Sequence, residues 1–185
     1  PDVANWDTSA ATTMIQIFYS CKYSGSLDVS SWDVTAITGA GLSSAFYSLP
    51  QTSLDLSSWE LSGGITSMSS VFYGSDITSV ALTHANNDFS AVTTWDHCFR
   101  DSDVTSLTFN ANADFSATTS MAYMLYGTTI STANYDALLL LIDATNSNAV
   151  VAHFGSATYT GGGAVATARA SLVTKGWTIY DGGIA

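Results

Sequence analysis

Related segments return along this chain every 26 to 30 residues, and that recurrence restricts its fold more than any single motif. PDVANWD at 1–7, LDVSSWD at 27–33 and LDLSSWE at 54–60 align with one another. The aromatic of this motif continues as Trp6, Trp32, Trp59, Phe89 and Phe115, spaced 26, 27, 30 and 26. A second series is Phe18, Phe46, Phe72, Phe99 and Leu125, spaced 28, 26, 27 and 26. Four residues before each of its members stands another large apolar residue: Met14, Leu42, Met68, Trp95 and Met121. SDITSVAL (75–82) matches SDVTSLTF (102–109), and NNDFSAVTTW (86–95) matches ANADFSATTSM (111–121). A unit of this length cannot bury its apolar side alone, so neighbours must cover one another.

Within each unit, Leu27–Val29, Leu54–Leu56, Val80–Leu82 and Leu107–Phe109 alternate apolar and polar, as a half-buried strand does. The Met14/Phe18-type pairs at i and i+4 suit one face of a short helix or 3₁₀ turn. Gly39, Gly41, Gly63, Gly64 and Gly74 supply corners. The expectation is therefore an α/β solenoid over residues 1–130. Each of its 26–28 residue turns carries a short parallel strand plus a short helix or 3₁₀ turn. Residues 131–185 read as a helix–strand–helix–strand cap that shields the last rung from edge pairing. Its helices are expected at 131–143, capped by Ser131 or Thr132, and at 164–176; its strands are expected at 150–154 and 177–181.

Charge narrows the function classes. Fifteen acidic residues against four basic ones give −11, which disfavours nucleic acid, anionic membranes and phosphate ligands. No apolar run is long enough to span a bilayer. The chain opens Pro-Asp-Val without a leader, the start expected of a fragment or processed chain. Cys21 and Cys98 fall three rungs apart, about 14 Å along the expected stack, and a disulfide needs Cα atoms within about 7 Å. Both are expected free and buried. His84, His97 and His153 lack metal-ligand spacing, no GxSxG elbow marks a nucleophile, and the TGGG run at 160–163 reads as a turn. A binding protein is expected, not an enzyme.

The stretches NWDTSAATTMIQIFYSC (5–21), LDVSSWDVTAIT (27–38) and LDLSSWELSGGITSMSSVF (54–72) resemble BspA-type leucine-rich-repeat proteins. The tail from Asn134 to Gly183 is similar to the closing unit of such proteins from bacteria and their phages. The resemblance implies a right-handed, leucine-rich-repeat-like stack displayed outside the cell or on a virion. It implies a bacterial adhesin or a phage receptor-binding part, with a host surface protein or glycan, or virion assembly partners, as its contacts. A structural spacer or decoration domain without a ligand is the alternative.

Two residue files are candidate binding positions. The first is Asp2, Asp28 and Asp55, which ends at Ala81 and Thr108. Carboxylates on neighbouring rungs repel modestly and either cap corners in solvent or recruit Ca²⁺, which needs six to eight oxygens. The second is Tyr19, Tyr47, Tyr73, Arg100 and Tyr126, each directly after the buried position. It fits either boundary packing or a platform for sugars or a protein loop. Arg100 beside Asp101 and Asp103 also suits a surface ion pair.

Overall fold

A computed structural model describes residues 2–61 and 64–185. Gly63, read above as a corner, lies outside the described residues. The regular elements are β1 (Ser79–Leu82), β2 (Ser106–Phe109), β3 (Ser120–Met121), α1 (Thr132–Thr145), β4 (Val151–His153), β5 (Thr158–Tyr159), α2 (Gly163–Thr174), β6 (Thr178–Tyr180) and β7 (Gly183–Ile184). They form three small parallel sheets, ordered β1-β2, β3-β4-β6 and β5-β7. Among the described residues, no helix is long and apolar enough to cross a membrane.

This corrects the expected fold class. The chain does not form a solenoid with a strand and a helix in every turn. Its described residues make a small mixed α/β fold with few short strands and two helices, both C-terminal. Val80–Leu82 and Leu107–Phe109 do lie in β1 and β2, paired Val80 to Leu107 and Leu82 to Phe109. Leu27–Val29 and Leu54–Leu56 form no strand, although Leu27, Val29, Leu54 and Leu56 are all buried.

The backbone explains why the i, i+4 pairs make no helix. Gln16 and Ser20, Ser44 and Ser48, Ser70 and Gly74, His97 and Asp101, and Tyr123 and Gly127 all have positive φ. Two left-handed residues four apart interrupt every such segment, and a right-handed helix tolerates neither. The segments are instead runs of tight turns. Ile17, Tyr19 and Cys21 donate to carbonyls three residues back, at Met14, Gln16 and Phe18. The alternate amides of Gln16, Phe18 and Ser20 donate to Ser43, Ala45 and Tyr47 of the next segment. Later segments repeat this, with Phe46 donating to Val71, Phe72 to Cys98 and Phe99 to Met124. Most of the amides in these runs thus find partners without a helix or a sheet. Periodicity reported burial correctly but misreported conformation: Met14, Phe18, Leu42, Phe46, Met68, Phe72, Trp95, Phe99, Met121 and Leu125 are all buried.

The core runs continuously through these segments into the C-terminal part. Trp32 and Trp59 donate from their indole nitrogens to the carbonyls of Val3 and Val29, each at 2.9 Å, so their polar atoms are satisfied inside it. In α1, the Ser131 hydroxyl accepts from the Asn134 amide and caps the N-terminus. Tyr135, Leu138, Leu139 and Ile142 bury one face of that helix. Asn146 closes it and sends its side-chain nitrogen to the carbonyls of Phe115 (2.6 Å) and Thr118 (2.9 Å). Cys98 is buried and free, whereas Cys21 is free but only half-buried, since the turn run that holds it ends at the surface.

Candidate functional site

The acidic file consists of turn caps. Asp28 Oδ1 accepts from the Ser30 amide (3.0 Å) and hydroxyl (2.7 Å), and Asp55 Oδ1 accepts from Ser57 in the same way. Asp2 accepts from the Ala4 amide at 3.3 Å. Asp7 with Ser9 and Asp33 with Thr35 repeat the arrangement. Asp88 and Asp114 repeat its backbone half with Ser90 and Ser116. The Asp-x-Ser/Thr spacing written in the sequence is the signal for such a turn. Hydrogen bonds from the Ser30 hydroxyl and amide hold the Asp28 carboxyl below its usual range, against weaker opposition from burial and from Asp55. Ser57 does the same for Asp55. Among the described residues, no group of three or more His, Cys, Asp or Glu side chains comes together to hold a metal ion.

The tyrosine file forms a ribbon of stacked rings on the surface. Tyr19 and Tyr47 stack at 4.5 Å, and Tyr47 and Tyr73 at 4.6 Å with planes 3° apart. Burial, then the neighbouring Tyr73 and Tyr19, push the Tyr47 phenol above its usual range. At the next step the ribbon changes lane. Arg100 occupies the tyrosine position, and the aromatic moves three residues earlier in the unit, to His97. His97 lies 6.3 Å from Tyr73 and is tilted by 51°. From there the rings stack again: His97 on Tyr123 (5.3 Å), Tyr123 on His153 (4.4 Å) and His153 on Tyr180 (4.5 Å). The Arg100 guanidinium bridges the lanes, 5.6 Å from the Tyr73 ring, 5.0 Å from Tyr123 and 5.4 Å from Tyr126. Its ion pair is with Asp101, at 3.1 Å between partly exposed groups, and contributes little by itself.

The structure therefore brings Tyr19, Tyr47, Tyr73 and Arg100 together and makes Asp2, Asp28 and Asp55 corner caps, of which Asp28 and Asp55 lie near enough to oppose one another's charge. The sequence reading missed His97, Tyr123, His153 and Tyr180. Their spacings of 26, 30 and 27 carry the same period, but only the lane change makes them continuous with the tyrosines.

The ribbon ends at a cleft of about 690 Å³ between the last repeat and the C-terminal elements. Tyr123, Tyr126, His153, Ile179 and Tyr180 form its apolar walls, and Arg169 and Asp181 contribute charge. Arg169 grips Asp181 with two bonds, Nε to Oδ2 at 2.7 Å and Nη2 to Oδ1 at 2.9 Å. The Tyr135 hydroxyl donates to the same Oδ2 at 2.8 Å, and the Gly183 amide donates to Oδ1 at 3.2 Å. Asp181, with a side chain only 3% exposed, is thus fully engaged. Burial and the Asp181 charge push the Tyr135 phenol up, so it remains a donor. Gly127 and Gly155 lie beneath, both at positive φ. A Cβ on Gly127 would strike Asp101, and one on Gly155 would press on the backbone of Leu125 and Tyr126.

A family described as "Mycoplasma protein of unknown function, DUF285" matches residues 1–84 and 39–138. A search of curated proteins and a search of solved structures found no match. The two matched stretches overlap and together run from residue 1 to residue 138, most of the 185-residue chain and all of the turn-built repeats. On that extent, the chain belongs to the DUF285 family.

Proposed function

We propose that this chain is a recognition segment of a BspA-like surface repeat protein, displayed outside the cell or on a virion, that binds a host surface protein or glycan. The observation that carries this reading is the ribbon of seven rings from Tyr19 to Tyr180, two stacked runs joined at a tilted Tyr73–His97 step, along one side of an otherwise Ser- and Thr-rich surface. Exposed aromatics bring large contact area with little conformational entropy to lose, and they dominate the energetics of recognition surfaces. The low content of basic residues fits a partner that is not a nucleic acid. We read the role as binding rather than catalysis, because the buried carboxylate of the cleft is occupied in holding Arg169.

The spacer reading has its own support. Rings within each stacked run of the ribbon cover one another's faces, and hydroxyls tie successive segments together, Thr78 to the Thr52 carbonyl and Thr105 to that of Thr78. A purely structural array needs these features and no others. Labelled protein applied to host cells separates the two readings. Recognition predicts saturable binding that Tyr19→Ala combined with Tyr73→Ala reduces well beyond what its modest loss of stability accounts for, with the chain still fully folded at the assay temperature. Absence of binding to any candidate host surface leaves the spacer.

A further inference from the structure

We propose that the cleft at the C-terminal end of the ribbon is a binding site for an uncharged pyranose ring. The proposal rests on the recognition reading above and names a ligand class for one part of that surface.

Backbone conformation supplies the first argument. His97 and Tyr123 occupy left-handed positions, with φ of 58° and 55°. The equivalent residues of earlier units are Gln16, Ser44 and Ser70, also left-handed but smaller or more flexible. A bulky tyrosine ring is disfavoured in that region, which histidine enters more readily. The fold does not need an aromatic there, because three units manage without one. Rings appear at this position only in the two units that approach the cleft.

Ring faces supply the second argument. Inside the ribbon Tyr47, Tyr123 and His153 each stack against a ring on both sides. Tyr180 is the last member: His153 covers one face, and the residue remains 55% exposed. Tyr126 stands at 80° to Tyr123, 5.7 Å away, and is 46% exposed. Two partly exposed rings thus border the cleft, Tyr126 with the Arg100 guanidinium near its ring and Tyr180 with one face uncovered by protein aromatics. The apolar face of a pyranose, with its axial C–H bonds, stacks on such rings, while its hydroxyls need donors and acceptors at the rim. Ser156 lies there, and Nη1 of Arg169 has no protein partner among the described residues. The volume of about 690 Å³ falls in the range of small-ligand sites, roughly 300–1,000 Å³.

Charge selects within the sugars. Arg169 is the cation lining the cleft, and its bidentate bond to Asp181 neutralises it. Carboxylated or sulfated sugars would then face a chain of net charge −11 with no free counter-charge in the cleft. The geometry favours neutral hexoses over sialic or uronic acids.

Saturation-transfer NMR with the intact chain tests this, using millimolar glucose-, galactose- and mannose-containing disaccharides, with sialyllactose and glucuronic acid as anionic probes. At least one neutral disaccharide should bind. Tyr180→Ala and Tyr126→Ala should each weaken it about tenfold while the chain stays folded at the assay temperature. Tyr180→Phe, which keeps the ring, should retain binding, and Tyr19→Ala, at the far end of the ribbon, should leave it unchanged. The proposal is overturned if no neutral sugar binds, if binding is indifferent to Tyr126 and Tyr180, or if the anionic probes bind as well as the neutral ones. Sugar binding without attachment to any host cell would keep the cleft and sink the host-recognition reading. Attachment to cells that survives loss of both cleft rings, with no sugar bound, would do the reverse.

Discussion

Two aromatic files run side by side through this molecule, one residue apart in sequence. Phe18, Phe46, Phe72 and Phe99 stack inside it, with centroids 5.4 to 6.0 Å apart. Tyr19, Tyr47 and Tyr73 stack outside it at 4.5 and 4.6 Å. The outer spacing is close to the ordinary separation of hydrogen-bonded chains, about 4.8 Å, so those rings sit almost directly over one another. The inner rings are offset as they pack with other core side chains, among them Trp32 and Trp59, 5.8 Å from Phe18 and from Phe46 respectively. The core must fill space, so its rings slide to interdigitate. The surface file has no such demand and follows the period of the backbone. That freedom is what allows the outer file to change lane and accept Arg100, while its inner neighbour stays aromatic at Phe99.

Truncating one ring from each file separates the inner role from the outer one. Phe72→Ala should cost about 3–5 kcal/mol, the usual penalty for emptying a buried aromatic site, read as a shift in the denaturant midpoint. Tyr47→Ala should cost only about 0.5–1.5 kcal/mol, the value of aromatic pairing at a surface. Equal losses would mean that the outer file is core after all. The smallest effect belongs to the Asp caps. Asp28 and Asp55 are held below the usual carboxylate range in the folded chain, so their stabilisation is present above the unfolded value near pH 4. It is lost as the pH falls through the folded values. A Ser30→Ala, Ser57→Ala double variant removes the hydroxyl donors, so its Tm should decline less steeply below about pH 4 than that of the parent chain. Superimposable acid limbs would show that these caps do not contribute.

The sequence made burial legible and left conformation hidden. The i, i+4 pairs marked the buried positions of every unit, because a run of tight turns with left-handed residues four apart also returns the chain to the core every fourth residue. Spacing alone cannot separate that from a helix when Ser, Gln, His and Tyr hold the left-handed positions in place of Gly. Where ordinary helix signals exist, the two readings converge. Expected helices at 131–143 and 164–176 are found at Thr132–Thr145 and Gly163–Thr174, with Ser131 as the cap of the first.

The candidate surface divides in the same way. Tyr19, Tyr47 and Tyr73 could be read as a file because they keep one place in the unit, and the Asp-x-Ser/Thr spacing already allowed corner caps. His97, Tyr123, His153 and Tyr180 could not be joined to that file from spacing, since they occupy a different place in the unit. Only the stacking of one segment on the next sets Tyr73 beside His97 and carries the ribbon to the Arg169–Asp181 pair. By itself the sequence determined the period, the buried positions and the acidic balance, all of which depend on residue type and spacing along the chain. The tertiary structure decided which rings touch and which ring faces stay open, because neighbours 26 to 30 residues apart meet only once the segments have packed.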